Sequence, residues 1–289
     1  MLVKKLLENE DNFVVIADNL STGNKFPPAS SRWKFVNCNV NVFDDFNTEF
    51  EALYDWQFDL IFHLAAVVGV KRTQDDPLSV LKDIDGFYNV FELARRTKVK
   101  RIYFSSSSEV YGEPVEIPQN EERTPLNSRV PYAVVKNMGE VYCKSYQKQY
   151  GLDYTIFRLF NTYGPNQSTD FVVPRFIASA KKGEDITIYG DGSQTRTFTY
   201  ADDTIDTFVK CLYADIGIND IINVGSDKMF TVLELAQMVI RLCNSKSKIV
   251  FLPPLKEGDM TRRQPDNTKM RAILGRELLG IEEGIIKLI

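Results

Sequence analysis

The sequence predicts an α/β protein built on a doubly wound parallel sheet, with a smaller lobe toward its C-terminus. Two observations carry this. Through the first half, short β-branched or apolar runs alternate with longer amphipathic stretches, the pattern of βα units whose helices cover both faces of a parallel sheet. After Gly164-Pro165 the alternation loosens into short strands mixed with helices. The expected division is therefore a sheet domain over 1–164 and a lobe over 165–289, with some segments of the second returning to the main sheet.

Taken in order, Met1–Glu8 reads as a helix, and Val14–Asp18, Lys34–Cys38, Asp59–Leu64, Arg101–Ser105 and Tyr154–Leu159 read as strands. Asp44–Trp56, Leu78–Thr97 and Tyr132–Tyr150 read as the helices between them. In the second half, strands are expected at Ile186–Tyr189, Ile221–Val224 and Ile249–Leu252. Helices are expected near Pro174–Lys182, Asp202–Ala214 and Val232–Cys243. Ligands of such sheets bind beyond the carboxyl ends of the strands. The candidate positions are then Asp18-Asn19, His63-Leu64-Ala65-Ala66, Ser105–Ser108 and Phe160-Asn161.

Composition narrows the function. A net charge of −4 with both signs interspersed argues against a nucleic-acid or membrane-surface partner, and no apolar run approaches the roughly 18 residues of a membrane span. Cys38, Cys143, Cys211 and Cys243 are far apart and form no metal-binding pair, so reduced thiols and a cytoplasmic location are expected. His63 is the single histidine. No metal site is expected, and a Ser-His-Asp hydrolase is a poor fit.

Asp18 closes a strand of Val-Val-Ile-Ala. A carboxylate there suits the two hydroxyls of an adenosine ribose and repels a 2′-phosphate, which favours NAD over NADP; a turn aspartate is the alternative. Tyr132 and Lys136 form Tyr-x-x-x-Lys, with both side chains on one helix face. A neighbouring ammonium favours phenolate and is expected to lower the tyrosine pKa toward a usable base. With 13 tyrosines in the chain such a pair arises by chance, so context decides. That context is Ser105-Ser-Ser-Ser-Glu-Val-Tyr-Gly112, where an apolar strand runs into hydroxyls able to share a proton with Tyr132.

These segments resemble the extended short-chain dehydrogenase/reductase superfamily, in its nucleotide-sugar epimerase/dehydratase/decarboxylase branch. The likeness runs through Asp18–Gly23, His63–Ala66, Ser105–Gly112, Pro131–Lys136, Arg158–Pro165, Gly190–Arg196 and Asn223-Val-Gly225. It implies a Rossmann-like fold, NAD as cofactor and a UDP-sugar or other nucleotide-sugar substrate. The reaction would pass through a 4-keto sugar. It further implies Tyr132 as acid/base, Lys136 on the nicotinamide ribose and Ser107 as the catalytic hydroxyl. Asp18 and Asn19 would lie on the adenosine ribose, with Leu64, Ala65 and Ala66 along the dinucleotide. Asn161 and Arg196 would hold the nucleotide diphosphate. A homodimer is implied too, through the two long helices, where Val90, Phe91, Val141 and Tyr146 serve either as contact residues or as this chain's own core.

The chain departs from the family at two places. Relatives open with a strand and Gly-x-x-Gly-x-x-Gly, whereas Met1–Glu8 reads as the helix that follows, so the sheet is expected to lack its usual first strand. In Lys82-Asp-Ile-Asp-Gly86, Asp83 stands where the family usually has asparagine. An amide donates and accepts while a carboxylate only accepts.

Glu109 and Arg263 resemble residues of decarboxylases, the arginine facing a uronate carboxylate. Ser108 stands where a 4,6-dehydratase carries an aspartate and is assigned to the substrate. Val67–Thr73 resembles instead the substrate loop of 4-epimerases. The reading leans to a UDP-glucuronate decarboxylase-like activity, with a UDP-sugar 4-epimerase as the alternative. A 4,6-dehydratase, or an inactive relative kept for binding, ranks after both.

Overall fold

The computed structural model describes every residue except 24, 52–56 and 255–261. The N-terminal half runs α1 (Leu2–Leu6), β1 (Val14–Asp18), β2 (Trp33–Asn37), α2 (Phe43–Glu51), β3 (Leu60–His63), α3 (Val70–Asp75), α4 (Pro77–Leu81) and α5 (Asp83–Arg96). It continues through β4 (Arg101–Ser107), a 3-10 turn over Ser108–Tyr111, α6 (Pro131–Tyr150) and β5 (Asp153–Leu159). The expected alternation is present, and the last residues of the expected helix Asp44–Trp56 lie outside the described residues. The expected helix Leu78–Thr97 is two helices, interrupted at Lys82. Asp76 caps α4 by accepting the Ser79 N–H at 3.1 Å, and Pro77 supplies its preset φ to the first turn.

The C-terminal half runs β6 (Thr162–Tyr163), α7 (Val172–Lys182), β7 (Ile186–Tyr189), β8 (Thr195–Thr197), β9 (Thr199–Tyr200) and α8 (Ala201–Tyr213). Then come β10 (Asp220–Val224), β11 (Met229–Thr231), α9 (Val232–Leu242), β12 (Ile249–Leu252), α10 (Thr268–Leu274) and α11 (Ile281–Ile286). β10 pairs in parallel with β5, so this part of the half joins the main sheet. The helix α9 starts with a full capping box, Thr231 and Glu234 each satisfying the other's backbone N–H. Its apolar face packs with α7, α11, β7 and β9 into a separate core around Phe176, Ile188, Tyr200 and Leu235.

The main sheet is Rossmann-like, parallel and covered on both faces. Its order is β10-β5-β4-β3, with β1-β2 as a separate parallel pair. On one face Phe87, Phe91, Phe104, Val135 and Ile156 bury α4, α5 and α6; on the other, Leu2, Tyr103, Phe157, Phe208 and Met270 bury α1, α8 and α10. A close contact between helix and sheet is at Gly139, where a Cβ would stand 2.1 Å from the Phe104 ring. Glycine lets α6 lie flat on β4.

β1 and β3 share both apolar layers without being hydrogen-bonded to one another. Val15, Ala17 and Ile61 enter one cluster, and Val14, Leu60 and Phe62 the other. Among the described residues no strand pairs with the free edge of either. Four of the five β1 residues and three of the four in β3 are only half-buried, whereas every residue of β4 is buried.

Candidate active site

β4 is buried along its whole length, so its polar end must find internal partners. Ser105 Oγ donates to the His63 carbonyl at 3.1 Å, and Ser106 Oγ donates to Glu140 at 2.6 Å. Ser107 Oγ accepts the Glu109 N–H at 3.2 Å and so caps the 3-10 turn. This leaves the Ser107 hydroxyl proton free to face the cavity, and turns Ser108 and Glu109 onto its wall.

That cavity, about 420 Å³, lies at the carboxyl ends of β4 and β5. It gathers Leu64, Ser107, Ser108, Glu109, Tyr132, Lys136, Asn161 and Arg263. Tyr132 and Lys136 come from the first turns of α6, which starts at Pro131. Lys136 Nζ donates to the Ser105 carbonyl at 2.8 Å and sits 5.3 Å from the Phe104 ring centre and 5.8 Å from that of Tyr132. Burial pulls its ammonium down from 10.5 to about 8, and the Asp83 carboxylate opposes the fall.

The expected lowering of the Tyr132 pKa is corrected by the structure. Burial raises it, the Glu109 carboxylate raises it further, and the Ser107 hydroxyl facing the phenol works the other way. Packing against its neighbours strips part of the water that would solvate a phenolate, and this is the largest effect on the group. Tyr132 therefore rests as the phenol, with Ser107 as its proton partner.

Arg263 reaches this cavity from a segment far along the chain. The backbones of Gln119 and 264–266 hold it there: Gln119 donates to the Gln264 carbonyl at 2.8 Å, and Asp266 donates to that of Gln119 at 2.7 Å. Its Nη1 stands 3.5 Å from Glu109 Oε1, a loose pair, and its buried Nε has no acceptor among the described residues. A guanidinium with a spare donor, desolvated beside a phenol and a serine, is suited to a carboxylate or phosphate.

Other expected residues lie elsewhere. Asp18 and Asn19 are exposed at the carboxyl end of β1, accepting the Leu20 and Ser21 N–H groups at 2.7 and 3.1 Å. They do not line the cavity, and neither do Ala65, Ala66 or Arg196. Arg196 is buried and gives Nη1 to its neighbour Thr195's carbonyl at 2.8 Å. Asn161 lines the cavity with its amide donating to the Thr197 carbonyl at 3.0 Å. Near these residues the hydroxyls of Thr195 and Thr197 and the Nε of Arg175 are buried without protein partners. His63 is buried, and its pKa falls to about 3 through desolvation and then the Lys136 charge, which keeps it neutral.

Sequence reasoning missed the support beneath the site. Arg158 gives Nε and Nη2 to Glu140 at 2.9 and 2.7 Å and Nη1 to Tyr111 Oη at 2.9 Å; Tyr111 donates to Asn223 at 2.7 Å. This buried network ties β4, β5, β10, α6 and the 3-10 turn together. Glu140 lies eight residues after Tyr132, a spacing that keeps it on the same helix face; that was the available signal.

A parallel doubly wound sheet with serine, tyrosine and lysine at its carboxyl ends defines a class: NAD-dependent enzymes that exchange protons and hydride with a sugar hydroxyl. The chain belongs to the NAD-dependent epimerase/dehydratase family, whose description matches residues 1–225. It is 34% identical over 288 residues to UDP-glucuronic acid decarboxylase 1 of Danio rerio, covering 96% of this chain and 66% of that one. It is 35% identical to UDP-glucuronic acid decarboxylase 3 of Arabidopsis thaliana, covering 96% and 80%. Among solved structures it is similar to the UDP-glucose 4-epimerase of Thermotoga maritima with UDP-glucose. The TM-score is 0.90 and identity 29%, over 99% of this chain and 92% of that one. The Thermus thermophilus UDP-glucose 4-epimerase complex with NAD gives a TM-score of 0.88 at 26% identity, over 99% and 92%.

Proposed function

We propose that this protein decarboxylates a UDP-linked uronic acid, of the UDP-glucuronate kind, through a 4-keto intermediate. The observation that carries this is Arg263, brought beside Glu109, Tyr132 and Ser107 with a buried unpaired Nε. The names of the Danio and Arabidopsis relatives point the same way.

The residues present fit two parts of NAD. Lys136 and Tyr132 would hold the nicotinamide ribose, and Asp18 with Asn19 the adenosine ribose. When bound, NAD supplies the hydride chemistry at sugar C4, taken up at the start and returned at the end. This chain's residues handle the rest. Tyr132 and Ser107 move the 4-hydroxyl proton. Arg263 holds the carboxylate while the bond from C5 to the carboxyl carbon breaks. Its electron pair passes to the C4 ketone as an enolate, CO₂ leaves, and C5 takes a proton beside Glu109. Asn161 and Arg196 are assigned to the diphosphate, where the unpaired Thr195 and Thr197 hydroxyls supply further donors.

A UDP-sugar 4-epimerase is the second reading. It is favoured by Val67–Thr73 and by the likeness to the Thermotoga enzyme. The two part on carboxyl-labelled UDP-glucuronate with saturating NAD, assayed with the chain alone and with a strand and Gly-x-x-Gly-x-x-Gly segment placed ahead of Met1. Labelled CO₂ that disappears in Arg263→Ala supports decarboxylation, and 4-epimers without CO₂ reject it.

We also propose a homodimer through α4, α5 and α6. Leu81, Tyr88, Val134, Met138 and Val141 are exposed there at helical spacing. Of the contact residues expected from sequence, Val141 is exposed, but Val90 and Phe91 are buried in this chain's own core, and Tyr146 packs against Phe91 and donates to Glu92.

A further inference from the structure

Asp83 is a buried carboxylate with no cation in direct contact, at the first turn of α5. Its Oδ1 accepts the Asn41 amide and its Oδ2 the Val67 N–H, both at 2.8 Å. Asn41 is itself locked, since its Oδ1 stands 2.2 Å from where a Cβ on Gly86 would be; only glycine leaves room for it. One turn beyond Asp83, on the same face of α5, Phe87 packs edge-on against His63 at 5.6 Å and Phe104 at 5.5 Å. Phe104 is the ring that lies 5.3 Å from Lys136 Nζ. The carboxylate and the ammonium thus border one aromatic cluster from two helices.

We propose that Asp83 is a positioning residue of the Tyr132–Lys136 centre. Its carboxylate pins the Val67 backbone, and with it the cavity wall at Leu64, Val68 and Gly69, and sets a fixed negative charge behind the Lys136 ammonium. This deepens the proposed function and rests on its assignment of Lys136. Among the described residues, His63 of β3 faces Lys136 in its neutral form, with the Tyr132 phenol from its own helix and the Ser105 carbonyl from β4. Glu109 and Arg263 act on Tyr132. Asp83 is the carboxylate that keeps Lys136 charged against burial, and it also favours the protonated phenol of Tyr132. An asparagine of the same shape can still accept the Val67 N–H through its single carbonyl oxygen, but it gives up the Asn41 bond and brings no charge.

The test needs neither cofactor nor substrate, so its outcome is separate from that of the activity assays. Lysines carrying ¹³C at Cε are titrated by NMR in the wild type and in Asp83→Asn, with the Lys136 signal assigned by its loss in Lys136→Arg. The midpoint of Lys136 is expected to fall by roughly 0.5–1.5 pH units in Asp83→Asn, while hydrogen exchange at the Val67 amide stays slow. In Asp83→Ala the midpoint falls alike, and Val67 exchange accelerates by about 10-fold or more, the loss of a bond worth over 1.4 kcal/mol. If Asp83→Ala does not fold, Asp83→Asn carries the test alone. A Lys136 midpoint unchanged in Asp83→Asn overturns the proposal, whatever happens to the melting temperature.

Discussion

Lys136→Met should make the protein more stable while removing its chemistry. The ammonium is enclosed, and its pKa is drawn from 10.5 to about 8. At about 1.4 kcal/mol per pH unit, keeping the charged form inside costs roughly 3 kcal/mol at neutral pH. Methionine fills similar space without charge, but leaves the Ser105 carbonyl without the 2.8 Å bond from Nζ, a loss of about 1–2 kcal/mol. The expected net gain is about 1–2 kcal/mol. Its pH dependence is the sharper signature. A pKa lowered by folding means the unfolded chain holds a proton that the folded chain releases between about 8 and 10.5. Wild-type stability therefore rises with pH across that window. The variant has no such rise, so its advantage shrinks through the window and turns to a deficit above it. Urea unfolding followed by circular dichroism at about pH 7, 9 and 10.5 measures this through the midpoints. A variant less stable at neutral pH, or a difference constant in pH, refutes the reasoning.

Arg158→Met strips the buried Glu140 of its cation, and should lower stability by about 3–5 kcal/mol; Arg158→Met with Glu140→Leu should recover most of it, read from urea midpoints. Tyr132→Phe should cut turnover by about 10²-fold or more while leaving UDP binding by calorimetry unchanged, since no diphosphate contact is lost. Val141→Asp, a charge set on the exposed apolar stripe of α6, should convert a dimer to a monomer in light scattering. A wild type already monomeric at tens of micromolar contradicts the dimer.

The sheet was legible because its strands are short, apolar and bounded: β1 and β5 fall within a residue of the expected spans, and β4 runs two residues further than expected. The meeting of Ser107, Tyr132 and Lys136 was legible because they sit at a strand end and a helix start that come together at the carboxyl end of the sheet. Arg263 was reached by resemblance alone, since the backbone pairing of Gln119 with 264–266 that delivers it leaves no local pattern. Glu140 and Arg158 were missed because periodicity reads a charge as a solvent-facing residue and cannot see two charges that neutralise each other inside. The dimer positions stayed open for the converse reason. An apolar helix position can face the core or a partner, and Val90 and Phe91 chose the core. The Tyr132 pKa went astray because residue spacing shows the neighbouring ammonium but not the packing around the phenol, which is the largest effect.

Arg263 is proposed as the grip for a substrate carboxylate, and calorimetry measures that grip directly. UDP-glucuronate and UDP-glucose differ at C6, carboxylate against hydroxymethyl, and can be titrated into the wild type and Arg263→Ala. A charge-assisted bond in a desolvated cavity is worth about 1.5–3 kcal/mol. UDP-glucuronate should therefore bind the wild type roughly 10- to 100-fold more tightly than UDP-glucose, and Arg263→Ala should erase the difference while leaving UDP-glucose affinity unchanged. Equal affinities in the wild type, or a preference that survives in Arg263→Ala, would contradict it.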